Sequence, residues 1–137
     1  MRVHNFKYRK VHKVKVKKDS LDYKRLQSLY GSVGLRSLVE YRLKAVQIES
    51  CRRAIKKVVK KLGNVWIRVS ADRPVTSKPA EVRMGKGKGN VSHWVCKVGG
   101  GTVLFEIDGV SEAIAKEALK QGAERLPFKT EICFYKS

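Results

Sequence analysis

The chain is expected to adopt an α+β fold: two helices packed on a mainly antiparallel sheet, with a basic extended N-terminal arm and a glycine-rich basic loop. Three observations predict this. Residues 43–63 carry apolar side chains at helical spacing. Residues 64–71, 91–98, 102–109 and 128–135 alternate apolar and polar residues as strands do. A second helical pattern at 111–125 falls between the last two of these, so the order is helix, strands, helix, strand. At 137 residues, 42% of them apolar, the chain can bury one core and differs from a disordered basic tail. The division expected is an arm at 1–18 and one α+β domain at 19–137 with a loop at 72–90.

In the arm, "MRVHNFKYRKVHKVKVKK", Arg2, Lys7, Arg9, Lys10, Lys13, Lys15, Lys17 and Lys18 stand without a single acid. His4, Phe6, Tyr8 and His12 are interleaved among them, and "VHKVKV" allows a short strand from Val11 to Val16. Residues 19–42 mix a weak helical pattern with a Gly31 to Gly34 turn and read as mostly irregular. In the helix at 43–63, Ile48, Cys51, Ile55, Val58, Val59 and Leu62 make an apolar stripe, and Gly63 supplies a stop. No capping side chain precedes it at Lys44. Arg52, Lys56 and Lys60 form one row away from the stripe, and Arg53, Lys57 and Lys61 form the next. Like charges at i and i+4 destabilise a helix by a few tenths of a kcal/mol per pair, and Glu49 alone offsets them. A polyanion alongside would reverse that penalty, whereas plain solvation would not.

The strand at 64–71 sets Val65, Ile67 and Val69 against Trp66 and Arg68. "DRPVTSKP", residues 72–79, reads as a proline-bearing loop. In "VSHWVCKV" Trp94, Cys96 and Val98 share one side, while Val91, His93 and Val95 share the other. Both tryptophans therefore read as core or sheet-face residues. "GGG" at 99–101 turns the chain into "TVLFEIDG". The helix at 111–125 has Ser111 as cap and Ala115, Ala118, Leu119, Gly122 and Ala123 on a face small enough for close packing against a sheet. Pro127 ends it, and the last strand puts Phe128, Ile132 and Phe134 on one side.

Thirty-one Lys and Arg against twelve Asp and Glu leave a net charge of +19. A globule so charged repels itself unless polyanions neutralise it. Clustered cations point to nucleic acid first and to an anionic membrane second. No apolar run is long enough to span a bilayer, so no membrane insertion is expected. The N-terminus lacks the apolar segment of a secretory signal and the serines of a transit peptide, which predicts a chain that works where it is made. Cys51, Cys96 and Cys133 are far apart and odd in number, so they read as small core residues rather than a zinc site or disulfide framework. His93 has no second ligand in view. No cofactor, metal or catalytic residue is expected, and the acids mostly read as ordinary surface charges.

"EVRMGKGKGNVSHW", residues 81–94, decides between enzyme and binder. A phosphate-gripping loop needs GxxxxGK, then Ser or Thr, then a helix. Here Asn90 and a strand pattern follow Gly89. Gly85, Gly87 and Gly89 give GxGxG rather than the dinucleotide fingerprint, again without a helix. A flexible basic finger fits better. Alternating glycines let the backbone approach a polymer, and Arg83, Lys86 and Lys88 match a sugar-phosphate chain. Met84 is an adaptable apolar tip.

These residues also carry a resemblance. "KYRKVHK" at 7–13, "YGSVGL" at 30–35, "QIESCRRAI" at 47–55, "WIRV" at 66–69, "PVTSKPAEVRMGKGKGN" at 74–90, "VLFEIDGV" at 103–110 and "LPFKT" at 126–130 are similar, in order, to the bacterial-type ribosomal protein L-sixteen family. The resemblance implies a structural constituent of the large ribosomal subunit that binds large-subunit rRNA near the aminoacyl-tRNA site and supports tRNA positioning and assembly. It implies neighbouring large-subunit proteins as further partners. The RNA-binding residues would be Arg2, Lys7, Arg9, Lys10, His12 and Lys13 in the arm, with Arg42, Arg52, Arg53, Lys56, Lys57 and Lys60 as a docking face. The tRNA-proximal finger would be Arg83, Met84, Gly85, Lys86, Gly87, Lys88 and Gly89. Two departures stand out. Val39, Glu40, Tyr41 and Arg42 replace the family's Gly-Arg-Gly-Arg run, and the stretch from His12 to Tyr30 is longer and gains Asp19 and Asp22. Such drift suggests an organelle ribosome, in the mitochondrial matrix more than a plastid, with a bacterial cytoplasm as the alternative. A freestanding RNA chaperone or DNA-binding protein explains the charge but not the finger, and a nucleotide-using enzyme is weakened by the absence of a helix after Gly89.

Overall fold

The computed structural model describes residues 7–13 and 23–135 of the chain. Among them are a short helix α1 (Tyr23–Leu26), strands β1 (Val33–Ser37) and β2 (Tyr41–Lys44), and helix α2 (Ala45–Val59). Strands β3 (Asn64–Ile67), β4 (Arg73–Ser77), β5 (Asn90–Val98) and β6 (Val103–Asp108) follow. Helix α3 (Glu112–Ala123) and strand β7 (Thr130–Phe134) complete the order. The α+β class is as the periodicities predict, but the strands divide between two antiparallel sheets rather than one. The first runs β3-β6-β1-β7 and the second β2-β5-β4.

Residues 19–42 correct the sequence reading most. The segment read as irregular contains β1, which pairs with both β6 and β7 at the centre of the first sheet. One glycine and a length of only five residues hide it locally, since glycine weakens strand propensity. Its partners lie far along the chain, Val33 opposite Ile107 on one side and Phe134 on the other. Val33 and Leu35 join Phe105 and Ile107 in a core shared with Ile55, Ala118 and Leu119.

The segment read as a proline loop contains β4. Pro74 is accommodated because β4 is an edge strand of the second sheet, where a missing N–H breaks no ladder on the open side. The loop proper is thereby reduced to residues 78–89. The glycines at 99–101 do not join neighbouring strands either. They carry the chain from β5 in one sheet to β6 in the other, tied to the end of β1 by Ser37 N–H to Thr102 O (2.9 Å) and Gly101 N–H to Ser37 O (2.6 Å).

Helix α2 buries Ile48, Cys51, Ile55 and Val59 as the stripe predicts, with Val58 partly buried. It ends earlier than expected. Lys60 takes a left-handed φ of 54° and closes the helix, so Gly63 is not its stop and Leu62 is 65% exposed. At its start the Lys44 backbone N–H donates to Gln47 Oε1 (3.0 Å), supplying the capping contact that no Ser, Thr, Asp or Asn provides.

The small face of α3 packs chiefly on α2, not on the sheet alone. A Cβ at Gly122 would lie 2.6 Å from Ile55 Cγ1 and 3.1 Å from Cys51 Sγ. Ser111 occupies the N-cap position in extended conformation but makes no side-chain cap hydrogen bond. On the side expected to carry Phe128, Ile132 and Phe134, the first two pack against the core while Phe134 is 49% exposed. Cys51 and Cys96 are buried thiols, and burial pushes Cys51 up to about 12. Cys133 is half-buried, and none of the three is in a disulfide.

Candidate nucleic-acid interface

β6 reads as alternating but is buried along both faces. On the side opposite Phe105 and Ile107, Glu106 is completely buried. Glu106 is thus an exception to the expectation that the acids are mostly surface charges. Arg68 Nη1 donates to Glu106 Oε1 at 2.7 Å. The backbone N–H groups of Leu29 (3.0 Å), Tyr30 (2.8 Å) and Gly31 (3.3 Å) donate to the same carboxylate. Arg68 also donates to Gln27 O (2.8 Å) and Lys24 O (2.7 Å). One buried ion pair thus pins the segment 24–31 over the first sheet and consumes its own charge. Tyr30 stacks on half-buried Trp66 with ring centroids 6.0 Å apart, which confirms Trp66 as a sheet-face residue. Trp94 packs against the core.

On α2 the two cation rows are not equivalent. Arg52 forks onto Glu49 with Nε–Oε2 2.9 Å and Nη2–Oε1 2.6 Å, and Arg53 Nε reaches Glu49 Oε1 at 3.1 Å. The hydrogen bond from Arg52, aided by Arg53, pulls the Glu49 carboxyl down to about 2. Lys56 and Lys57 project from the exposed side without a carboxylate partner among the described residues, and Lys60 stands at the helix end. The docking face expected on α2 therefore has two arginines already engaged and three lysines open to a partner.

The finger stands out from the fold. Residues 81–88 are exposed, and Met84 is 100% exposed at its tip. Gly85, Lys86 and Gly87 follow one another with φ of 101°, 59° and 86°, a run that demands glycine at two of its three positions. Its root is braced: the Lys78 ammonium donates to Gly85 O, and Val82 N–H to Pro79 O at 3.2 Å. Gly89 passes so close to β4 that a Cβ would sit 2.7 Å from Ser77 O. β5 begins at Asn90, so the helix that a phosphate-gripping nucleotide loop requires does not follow.

A third basic surface was legible only in part. Alternation along β2 and β5 places Arg42 and Lys44 on one face, with His93, Val95 and Lys97 beside them. Their core-facing counterparts are Tyr41, Leu43, Trp94, Cys96 and Val98. Register completes the surface: Arg42 lies opposite Lys97, and Val95 lies between Lys44 and Arg73. The arm covers this face. Lys10 Nζ donates to Lys88 O (3.1 Å), and Lys88 Nζ donates to Val11 O (2.6 Å). Between arm and sheet runs a cleft of about 300 Å³, into which His12 and Lys13 also project. Lys44, Arg73 and Lys97 were not among the expected site residues. The i, i+2 spacing of "YRLK" hinted at a basic face, but Arg73 lay in a segment read as loop.

Of the arm, Lys7, Arg9 and Lys10 are exposed, and Lys7 sits over the Tyr8 ring at 5.5 Å. No strand forms at 11–13. Arg2 and the rest of the Val11–Val16 strand fall outside the described residues, as do Asp19 and Asp22. His93 Nδ1 lies 3.3 Å from Ser92 Oγ. Among the described residues no three His, Cys, Asp or Glu side chains come together in a metal-binding group, and no helix is long and apolar enough to cross a membrane.

Comparison with known proteins adds a family. The model of a family described as Ribosomal protein L16p/L10e matches residues 3–133. The large ribosomal subunit protein uL16 of Psychrobacter arcticus is 48% identical over 126 residues, covering 92% of this chain and 90% of that protein. Its counterpart in Acidiphilium cryptum is 51% identical over the same shares.

Proposed function

The chain belongs to the ribosomal protein L16p/L10e family, and we propose on that premise that it is a structural, non-catalytic protein of the large ribosomal subunit which binds large-subunit rRNA beside the aminoacyl-tRNA site. The observation that carries this reading is the exposed, glycine-bent finger at 83–89, in a chain whose net charge is +19. Arg83, Met84, Lys86 and Lys88 form the element that approaches the tRNA. Lys56, Lys57 and Lys60 of α2 and the arm residues Lys7, Arg9, Lys10, His12 and Lys13 dock on rRNA, so that the protein holds RNA segments together during assembly. Arg52 and Arg53 contribute through the charge left after Glu49.

The compartment we propose is a mitochondrial matrix ribosome, supported by the altered run at 39–42 and the two acids at 19 and 22. A bacterial cytoplasm is the second reading, favoured by the bacterial origin of the relatives. The test is sedimentation of the native protein with the large subunit through a high-salt wash, in cell and in organelle lysates. Recovery wholly in the soluble fraction would remove the ribosomal reading, and the lysate in which it sediments decides the compartment. Replacing Lys56 and Lys57 by Ala should flatten the dependence of rRNA affinity on salt by about 0.7 to 0.9 log units per lost contact. An unchanged slope would detach α2 from RNA.

A further inference from the structure

The cleft between the arm and the outer face of the second sheet gathers charge of one sign. Six cations line it: Arg42, Lys44, Arg73 and Lys97 from the three strands, Lys13 from the arm and Lys88 from the root of the finger. No Asp or Glu lines it. Arg42 and Lys97 occupy directly opposed positions in the β2–β5 ladder, where like charges destabilise the pairing. Burial lowers the proton affinity of Lys97, and the like charges of Arg73 and Arg42 lower it further, against a smaller opposing pull from Asp72. A free protein gains nothing from this crowding. An anion in the cleft would turn each repulsion into an attraction.

The floor also has a shape. Val95 is 4% exposed at its centre, with Val75 beside it, so the cations surround an apolar strip rather than a wet plain. Residues sharing a face along a strand repeat every ~7 Å, and the next strand lies ~5 Å away, which spaces the cations as rows rather than as a single point. Rows suit consecutive phosphates better than one isolated ion. The arm closes the cleft through two contacts that both involve Lys88, so one residue links the arm, the finger and the cation-lined space.

We infer that this cleft seats consecutive backbone phosphates of an RNA strand, with Arg73 and Lys97 as its principal grips and the arm strapped over the strand. Lys88 then exchanges the Val11 carbonyl for a phosphate oxygen, so that filling the cleft resets the root of the finger. The inference rests on the RNA-binding reading above and specifies a surface separate from α2.

The experiment compares three full-length proteins on a transcript of large-subunit rRNA across a salt series, and on phosphatidylglycerol vesicles as a second probe: the parent chain, Arg73→Ala/Lys97→Ala and Lys56→Ala/Lys57→Ala. The cleft variant is expected to flatten the slope of log affinity against log salt by about 1.4 to 1.8, two contacts' worth. Its melting temperature should equal or exceed the parent's, because an opposed like-charge pair is relieved. A flattened slope only in the α2 variant leaves the RNA-binding reading in place and overturns the cleft. Slopes unchanged in both variants overturn both. Weaker binding together with a lowered melting temperature marks the cations as structural and counts against the cleft. Loss of binding to phosphatidylglycerol vesicles with the rRNA slope intact assigns the phosphate to a lipid headgroup and likewise overturns it.

Discussion

The two sheets treat charge in opposite ways. The first buries an arginine and a glutamate together, with Glu106 wholly enclosed and the Arg68 side chain 9% exposed, and satisfies them with backbone groups of its own covering segment. The second keeps four cations on its outer face with no acid lining the cleft above them. Charge matched inside the fold holds the fold. Like charge gathered on a surface is available to a partner, and the two kinds of site should respond to mutation in opposite directions.

The largest effect should follow removal of the first sheet's acid. Glu106→Leu leaves a guanidinium without its counter-ion and three backbone donors without an acceptor, a loss of about 3–5 kcal/mol. Urea denaturation should show a much lower midpoint or no cooperative transition. A midpoint within experimental error of the parent's would erase the contrast between the sheets. Next comes the packing that supports both. Gly122→Ala drives a methyl into Ile55 and Cys51, with an overpacking cost of about 1–3 kcal/mol read as a lowered melting temperature. If that variant melts like the parent, α2 and α3 are less tightly joined than the contact distances require.

The smallest effect concerns α2, which lies between these extremes because Glu49 is half-buried and tied to two arginines. Its folded carboxyl is held at about 2, below its ordinary 4.5. A depressed folded value contributes stability that is present above pH 4.5 and lost as pH falls from there toward 2. Glu49→Gln should remove that loss, so the parent's melting temperature should fall more steeply than the variant's over this window. Parallel curves would mean that solvent screens the pair completely. The same substitution releases Arg52 and Arg53 and should steepen the salt dependence of rRNA binding.

Legibility followed the range of the interaction that decides each element. α2 was readable because its stripe repeats every turn, and Ile48, Cys51, Ile55 and Val59 bury where the spacing says. α3, β3, β5, β6 and β7 were readable for the same local reason. β1 was not, because Val33, Gly34 and Leu35 become a strand only by pairing with residues about 70 and 100 positions later. β4 was not, because a proline is acceptable only once its strand is known to be an edge. At the candidate interface the finger was legible in full, since Gly85 and Gly87 encode their own backbone conformation. The cleft was half legible: Arg42, His12, Lys13 and Lys88 were in view, but Lys44, Arg73 and Lys97 needed the register of three strands to join them.

By itself the sequence determined the charge, the helical stripe, the finger and the family likeness, all properties written within a few residues or summed over the chain. Only the tertiary structure decided that two sheets share the strands, that Glu106 and Arg68 neutralise each other in the interior, and that Arg42 meets Lys97. Those outcomes depend on contacts between residues distant in the chain, whose loop-closure entropy is offset by the core as a whole and by no local signal.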